Sequence, residues 1–369
     1  MTDPFTFSAP TEILAGPGSL SQLGELAARF SPSNIALVCD EGVAAAGLLD
    51  LALHQLTAVN VNLCTLVFPD PTTDDVEAIA CEAIEHGSDL VIAMGGGSGL
   101  AAGKAVALRL TNHRPVTAYA GRDQAEALPA PSIAIPTTAG SGSEVSNALV
   151  LHDPERPMVL VVRGRGYEPN IAILDGTLIA TLPRTPFIYA ALDALSHALE
   201  ALWVRKANPF TDAMAYHAAD LIYGALVRAL ERRQPDDLQT LLEASAMANI
   251  ACGNSELGLV HALSLSTAVR LAHGHQNAVL MPYVAEFNRA EVAPRTAALL
   301  DGILPLYQSL HFDPHFQPGE LDAPVAESMV GVALKVPLTA NNIRQANETD
   351  LRSLLALTGA PIAATNLAS

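Results

Sequence analysis

The chain has 369 residues, which at roughly 150 residues per domain predicts two domains. Half of the residues are hydrophobic and 16% are charged, a composition that excludes disorder for the bulk of the chain. The net charge of -18, from 38 acidic and 20 basic residues with no Lys/Arg-rich block, argues against a nucleic-acid backbone or an anionic membrane surface as partner.

Met1 to Pro10 carries no basic segment followed by an apolar stretch, so no secretory signal is expected. Phe5-Thr6-Phe7 is an expected edge strand that pairs across subunits. Short apolar, β-rich runs bounded by turn residues follow at Asn34 to Asp40, Val61 to Phe68, Asp89 to Met94 and Ser132 to Thr137. Between them, Leu20 to Phe30, Asp75 to His86 and Gly99 to Leu110 place apolar residues at helical spacing. Strand-helix-strand alternation predicts a parallel sheet covered on both faces.

Three more strand runs, Ala148 to His152, Met158 to Arg163 and Ile171 to Asp175, follow without an intervening helix and predict an excursion at the sheet edge or domain border. From Thr185 onward the periodicity is helical: Thr185 to Val204, Phe210 to Arg232, Leu238 to Gly253, Leu257 to Leu271, Asn277 to Phe287 and Val292 to Ser309. The expected organisation is an α/β domain over residues 1–182 and an all-helical domain over 183–369. Even the most apolar segments are interrupted, as by Lys104 within Leu90 to Leu110, and fall short of the roughly 20 clean residues of a membrane helix. Cys39, Cys64, Cys81 and Cys252 show no paired spacing and read as buried thiols of a reducing, cytoplasmic compartment.

Gly95-Gly96-Gly97-Ser98 ends one strand run and opens a helix. Glycines there let a ligand approach the backbone, and the free N–H groups of a helix start attract phosphate. Pro136 to Glu144 (PTTAGSGSE) is a second loop at a strand end, and its hydroxyls, Thr137, Thr138, Ser141 and Ser143, suit a pyrophosphate or a ribose. Two such loops on one sheet point to a shared crevice. Asp40, at the end of an early strand, either takes the ribose hydroxyls of NAD or caps the next helix.

Asp193 and His197 are four residues apart in LDALSHALEAL, so a carboxylate and an imidazole share one helix face within reach of one metal ion. The apolar neighbours Leu192, Leu195, Ala198 and Leu199 bury that face, and a buried Asp needs a partner. His261 and His273 lie twelve residues apart, which on a continuous helix turns the second about 120° away, so a break before Gly274 is required to aim both inward. His275 is a spare imidazole beside them. One carboxylate with imidazoles suits Fe(II) or Zn(II). His54, His86, His113, His311 and His315 lie in polar contexts and read as surface residues.

Taken together, PTEILAGPGSL, GGGSGLAAGKA, IPTTAGSGSEVS, DALSHALEAL, GLVHALS and HGHQNAVLMPYVAEFN resemble the iron-containing (group III) alcohol dehydrogenase family over nearly the whole chain. The resemblance implies a dinucleotide-binding α/β domain, a helical domain of dehydroquinate synthase-like architecture, and a catalytic divalent metal in the cleft between them. Carried over by motif, the metal ligands are Asp193, His197, His261 and His273. NAD(H) then lies along Gly96, Gly97, Ser98, Thr137, Thr138 and Ser141, with Asp40 favouring NAD over NADP. A homodimer and a small alcohol or carbonyl substrate complete the expectation, with hydride passing between nicotinamide C4 and a carbonyl carbon under metal Lewis acidity.

The departures concern the substrate side. Ala101 stands where the family has Asp, Leu265 where it has a second His, and Leu192 where it has Gly. The spacing from His261 to His273 is two residues short, and the tail lacks the usual Asn-Pro-Arg segment and final helix. With Leu265 unable to carry a proton, His275 is the expected proton relay. Related readings are a maleylacetate reductase, for which Arg163, Arg165 and Arg270 would serve an anionic substrate, and a redox-neutral cyclase resembling dehydroquinate synthase. The cyclase needs several basic residues, and beyond Lys104 the chain has only Lys206 and Lys335 as lysines.

Overall fold

The computed structural model describes residues 4–57, 61–67 and 71–362, with the backbone alone for 62–66. By contact the chain sorts into two compact units, one of Ala9–Pro183 with Arg233–Ala246 and one of Met1–Ser8, Arg184–Arg232 and Met247–Ser369. The division therefore does not follow a single border: the segment 233–246 belongs with the α/β unit, and the chain start belongs with the helical one.

In the α/β unit the strands are β1 (Glu12–Ala15), β2 (Ile35–Asp40), β3 (Val61–Val67), β4 (Leu90–Gly95), β5 (Gly121–Arg122), β6 (Ser132–Pro136), β7 (Ala148–Leu151), β8 (Leu160–Arg163) and β9 (Ile171–Leu174). The helices are α1 (Leu23–Ala28), α2 (Glu41–Ala45), α3 (Leu48–Gln55), α4 (Thr73–Glu85) and α5 (Gly97–Thr111). Among the described residues, a six-stranded parallel sheet runs in the order β1-β9-β6-β4-β2-β3. Along β2, Ala36 and Val38 face one apolar cluster with Val76, Val91 and Val106, while Ile35, Leu37 and Cys39 face another with Leu23, Ile92 and Ile133. Burial on both faces is why these strands read as unbroken apolar runs rather than alternating ones.

The expected excursion is a small second sheet, β5-β8-β7. Its third expected member, Ile171 to Asp175, instead enters the main sheet as β9 between β1 and β6, because all four of its residues are apolar and buried. Strand β1 and helix α3 carry too little periodicity to be predicted, while α2 starts at Glu41, where Asp40 was weighed as a helix cap. The sheet reverses its direction of growth between β2 and β4, since β3 lies beyond β2 and β6 beyond β4. The carboxyl ends of β2 and β4 therefore flank a switch point, where open α/β sheets bind ligands.

The helical unit contains α6 (Arg184–Leu202), α7 (Pro209–Arg232), the second half of α8 (Pro235–Ser255), α9 (Leu259–Leu263), α10 (His273–Asn288), α11 (Pro294–Leu300), α12 (Ile303–Leu310), α13 (Ala323–Ala333), α14 (Pro337–Asn341) and α15 (Glu348–Leu357). Several expectations are corrected. The helix expected over Leu257 to Leu271 is only α9, and the one expected over Val292 to Ser309 is broken at Gly302 into α11 and α12. A final helix exists after all: α15 starts with a capping box in which Asn347 and Asp350 satisfy each other's backbone N–H groups.

Phe5 and Phe7 form no strand among the described residues. Their rings pack on Phe210, at centroid distances of 6.0 and 5.4 Å. Cys39 and Cys252 are buried as expected, Cys81 is exposed on the outer face of α4, and the Cys64 side chain lies outside the described residues. No described helix is long and apolar enough to cross a membrane.

Candidate metal centre and cofactor loop

In the α/β unit, the Asp40 carboxylate leaves the end of β2 and accepts the backbone N–H of Gly96 at 2.6 Å. Asp40 also occupies the N-cap position of α2, but its side chain makes no capping bond, so the glycine loop has taken the carboxylate. A side chain on Gly99 is excluded, since its Cβ would lie 2.5 Å from Asp40 Oδ1. Burial pushes the Asp40 carboxyl up to about 6, against the opposing effect of the Gly96 and Gly99 N–H groups.

The loop after β6 meets the same place. A Cβ on Gly96 would lie 3.3 Å from Thr138 Cγ2, and one on Gly97 would lie 3.0 Å from Ser141 Cβ. Thr137 is buried, and its N–H donates to the Gly95 carbonyl at 2.9 Å. Ser98 lies in the first turn of α5, whose N-cap is Gly96. The structure thus brings Asp40, Gly96, Gly97, Ser98, Thr137, Thr138 and Ser141 to one end of the sheet, around a helix start that lacks a side-chain cap. The positive end of the helix dipole there favours phosphate oxygens.

Lys104 is a charge that interrupts the apolar run Leu90 to Leu110. It is buried on α5, and its Nζ donates to the carbonyls of Ser143, Ser146 and Ala148 at 2.9, 3.2 and 2.5 Å. It therefore ties α5 to the far end of the hydroxyl-rich loop. Burial pushes the Lys104 ammonium down and the Glu144 carboxyl up, and their mutual attraction opposes both shifts.

In the helical unit, Asp193 and His197 stand on α6, His261 on α9, and His273 opens α10. The break needed between the last two histidines is real: the chain leaves α9 after Leu263 and re-enters helix at His273 itself. Asp193 Oδ1 lies 4.0 Å from His197 Nε2 and 3.9 Å from His261 Nε2. One ligand atom from each of Asp193, His197 and His261 falls within 4.8 Å of the others. The His261 and His273 rings are 5.3 Å apart, and His273 is the exposed member of the set.

Gly274 permits this approach, because a Cβ there would lie 2.5 Å from the Tyr189 carbonyl oxygen and 3.4 Å from Asp193 Cβ. Burial alone would raise the Asp193 carboxyl, but the three imidazoles and the Asn277 amide hold it below its ordinary value. Burial pushes His261 far down, with His197 and His273 adding to the shift. An ionised carboxylate beside a neutral imidazole is the protonation state a metal ion requires.

Two residues here were missed in sequence. Asn277, four residues after His273 on α10, aims its amide nitrogen at Asp193 Oδ1 (2.7 Å), His261 Nε2 (3.0 Å) and His273 Nε2 (3.0 Å). One NH2 group has two hydrogens for these three neighbours. A buried carboxylate and imidazole nitrogens gathered within reach of one another fit a divalent cation, and this donor set suits Fe(II) or Zn(II). Glu200, seven residues after Asp193 on the same face of α6, places Oε2 2.6 Å from His261 Nδ1. The i, i+4, i+7 pattern of Asp193, His197 and Glu200 was its available signal.

His275 is not among the ligand atoms. Its ring lies flat on Tyr189, at 4.7 Å and 3°, in the wall of a cavity of about 620 Å³ also lined by Arg184, Phe312, His315 and Glu320. Burial pushes the His275 imidazole down, while Glu320, with Oε1 3.9 Å from Nδ1, acts the other way. His311 and His315 are exposed as expected, at the rim of this cavity.

Two family models match the chain: iron-containing alcohol dehydrogenase over residues 10–176, and the C-terminal domain of the Fe-containing alcohol dehydrogenase family over 187–304. The probable alcohol dehydrogenase EutG of Escherichia coli is 36% identical over 291 residues, covering 77% of this chain and 73% of that protein. The NAD-dependent methanol dehydrogenase of Bacillus methanolicus is 29% identical over 302 residues, covering 80% and 79%. Among solved structures, a 1,3-propanediol oxidoreductase superposes with a TM-score of 0.89 at 26% identity, covering 96% of this chain and all of that one. With both halves matched and the motifs gathered as described, this chain belongs to the iron-containing alcohol dehydrogenase family.

Proposed function

We propose that this protein is a divalent-metal-dependent, NAD(H)-linked alcohol dehydrogenase that interconverts a small alcohol and its aldehyde or ketone. The observation that carries the reading is the convergence of one ligand atom each from Asp193, His197 and His261 within 4.8 Å, with the His273 ring 5.3 Å from that of His261. These four residues hold Fe(II) or Zn(II). Asp40, Gly96, Gly97, Ser98, Thr137, Thr138 and Ser141 hold NAD(H), a reading supported by the cluster at the switch point and by the NAD-dependent relative.

When bound, the ion supplies Lewis acidity toward the substrate oxygen, and the nicotinamide accepts the hydride in oxidation or donates it in reduction. The chain's own groups do the rest. The start of α5, at the positive end of its helix dipole, would face the pyrophosphate. Asp40 holds a ribose hydroxyl and repels a 2′-phosphate. Asp193 stays ionised and His261 neutral, so both present lone pairs. Alcohol oxidation releases one proton, and the neutral imidazole of His275, in the cavity wall, takes it. Leu265 cannot perform that step. Among the described residues strand β1 ends one edge of the main sheet, with three of its four residues exposed, and that edge and the family resemblance support a homodimer, while the unpaired cysteine spacing supports a cytoplasmic location.

The test is anaerobic purification, reconstitution with Fe(II) or Zn(II), and NADH oxidation against short aldehydes, carboxylated and phosphonylated aldehydes, and maleylacetate. Metal-dependent turnover that His261→Ala abolishes supports the reading. Tight NAD binding and stoichiometric metal without turnover of any carbonyl overturns it in favour of a redox-neutral cyclase.

A further inference from the structure

We propose that Glu200 is the positioning residue of the metal centre: its buried carboxylate accepts the Nδ1 proton of His261 and so holds the imidazole in the one tautomer that presents Nε2 to the ion. The inference rests on the metal-centre reading above and deepens it.

Glu200 has no solvent exposure, and a buried carboxylate persists only with its lone pairs satisfied. Here the donors come from the chain segment that carries His261. Oε1 accepts the N–H of Val260 at 2.8 Å, and Oε2 accepts the N–H of His261 at 3.3 Å. His261 Nδ1 stands 2.6 Å from Oε2, the short distance of a charge-assisted bond. Gly258 makes the approach possible, since a Cβ there would lie 3.0 Å from Oε1. One carboxylate therefore both caps the start of α9 and fixes the ring carried by its third residue.

A neutral imidazole has one N–H and one lone pair, so its two nitrogens cannot be chosen independently. With Nδ1–H committed to Glu200, Nε2 is left as an acceptor. The Asn277 amide nitrogen stands 3.0 Å from Nε2, on the side of the ring away from Glu200. The arrangement is particular to His261, because His197 Nδ1 is buried without a hydrogen-bond partner. Outer-shell carboxylates of this kind change metal affinity about 10- to 100-fold.

Glu200→Gln isolates the effect. Its single amide oxygen cannot serve both the Val260 N–H and the His261 side as the two carboxylate oxygens do: with the NH2 turned to His261 Nδ1 the proton moves onto Nε2 and the lone pair is lost, and with the oxygen turned there the neutral acceptor holds Nδ1–H more weakly. In metal-free, full-length protein with 15N-labelled histidine, long-range 15N–1H spectra report the tautomer, with His261→Gln assigning the signal. The expected result is Nδ1–H in the wild type, a gain of Nε2–H in Glu200→Gln, and Zn(II) affinity by chelator competition about 10- to 100-fold weaker in the variant. Glu200→Ala, which leaves Nδ1 free to take either proton, is expected to lose less. A wild-type His261 found as Nε2–H overturns the proposal, and that measurement needs no variant to fold. Equal Zn(II) affinity of wild type and a folded Glu200→Gln overturns it as well. Wild-type protein that takes up no Zn(II) overturns the metal-centre reading itself, and this inference with it.

Discussion

The carboxylate of Asp40 fills the space that a side chain on Gly99 would need, with Oδ1 2.5 Å from the Cβ position. The glycine-rich loop and the acid at the end of β2 are therefore one device, and the glycine is required by the acid as much as by any ligand. Gly99→Ala is expected to cost about 1–3 kcal/mol through overpacking. It should also weaken NADH binding by at least about tenfold, the affinity change that 1.4 kcal/mol represents. Fluorescence titration of NADH with a parallel thermal melt checks both.

The same carboxyl gives a pH dependence. Its folded value, about 6, lies above its ordinary 3.8, so the folded chain holds the proton more tightly than the unfolded one. Its contribution to stability is present below pH 3.8 and is lost as pH rises through about 6. Asp40→Asn should remove that slope, a difference of at most about 3 kcal/mol, seen by comparing urea unfolding of variant and wild type from acid to neutral pH. The variant should also bind NADP more readily relative to NAD.

Gly274→Ala is expected to affect the metal more than the fold. The new Cβ would meet the Tyr189 carbonyl at 2.5 Å, pushing the first turn of α10, and His273 with it, away from α6. We expect metal affinity to fall by at least about tenfold, equivalent to 1.4 kcal/mol, while the far-UV circular dichroism is unchanged. Equilibrium dialysis against Zn(II) measures the first quantity.

Metal removal is expected to destabilise the helical unit. An ion bound to the native state alone at a thousand times its Kd contributes about 4 kcal/mol. Chelation should therefore lower the melting temperature and Zn(II) or Fe(II) should restore it, with the restoration absent in Asp193→Ala. An equal response in that variant would place the ion elsewhere.

Lys104→Met leaves the carbonyls of Ser143, Ser146 and Ala148 without their common donor. Each unsatisfied buried group costs about 1–3 kcal/mol. The variant should melt lower and bind NADH more weakly, because the hydroxyl-rich loop loses its tie to α5. Differential scanning calorimetry with and without NADH separates the two effects.

What could be read along the chain were features of short range. Apolar runs such as Leu90 to Met94 announced buried parallel strands, and Asp193 with His197 announced a shared helix face, because a helix or strand repeats within a few residues. The tight turn at Gly95 to Gly97 was legible for the same reason. Features that depend on distant segments were not. Ile171 to Leu174 became an inner strand through its neighbours β1 and β6, which lie far away in sequence.

Asp40 had two local roles of equal merit, ribose ligand or helix cap, and tertiary contact with Gly96 decided against the cap. Glu200 shares the helix face of Asp193 and His197, but it acquired its partner only when folding set it against His261, 61 residues on. Asn277 became part of the metal centre only where α6, α9 and α10 meet. A donor or an acceptor acquires its role from the group that faces it, and in a folded chain that group is most often supplied from elsewhere in the sequence.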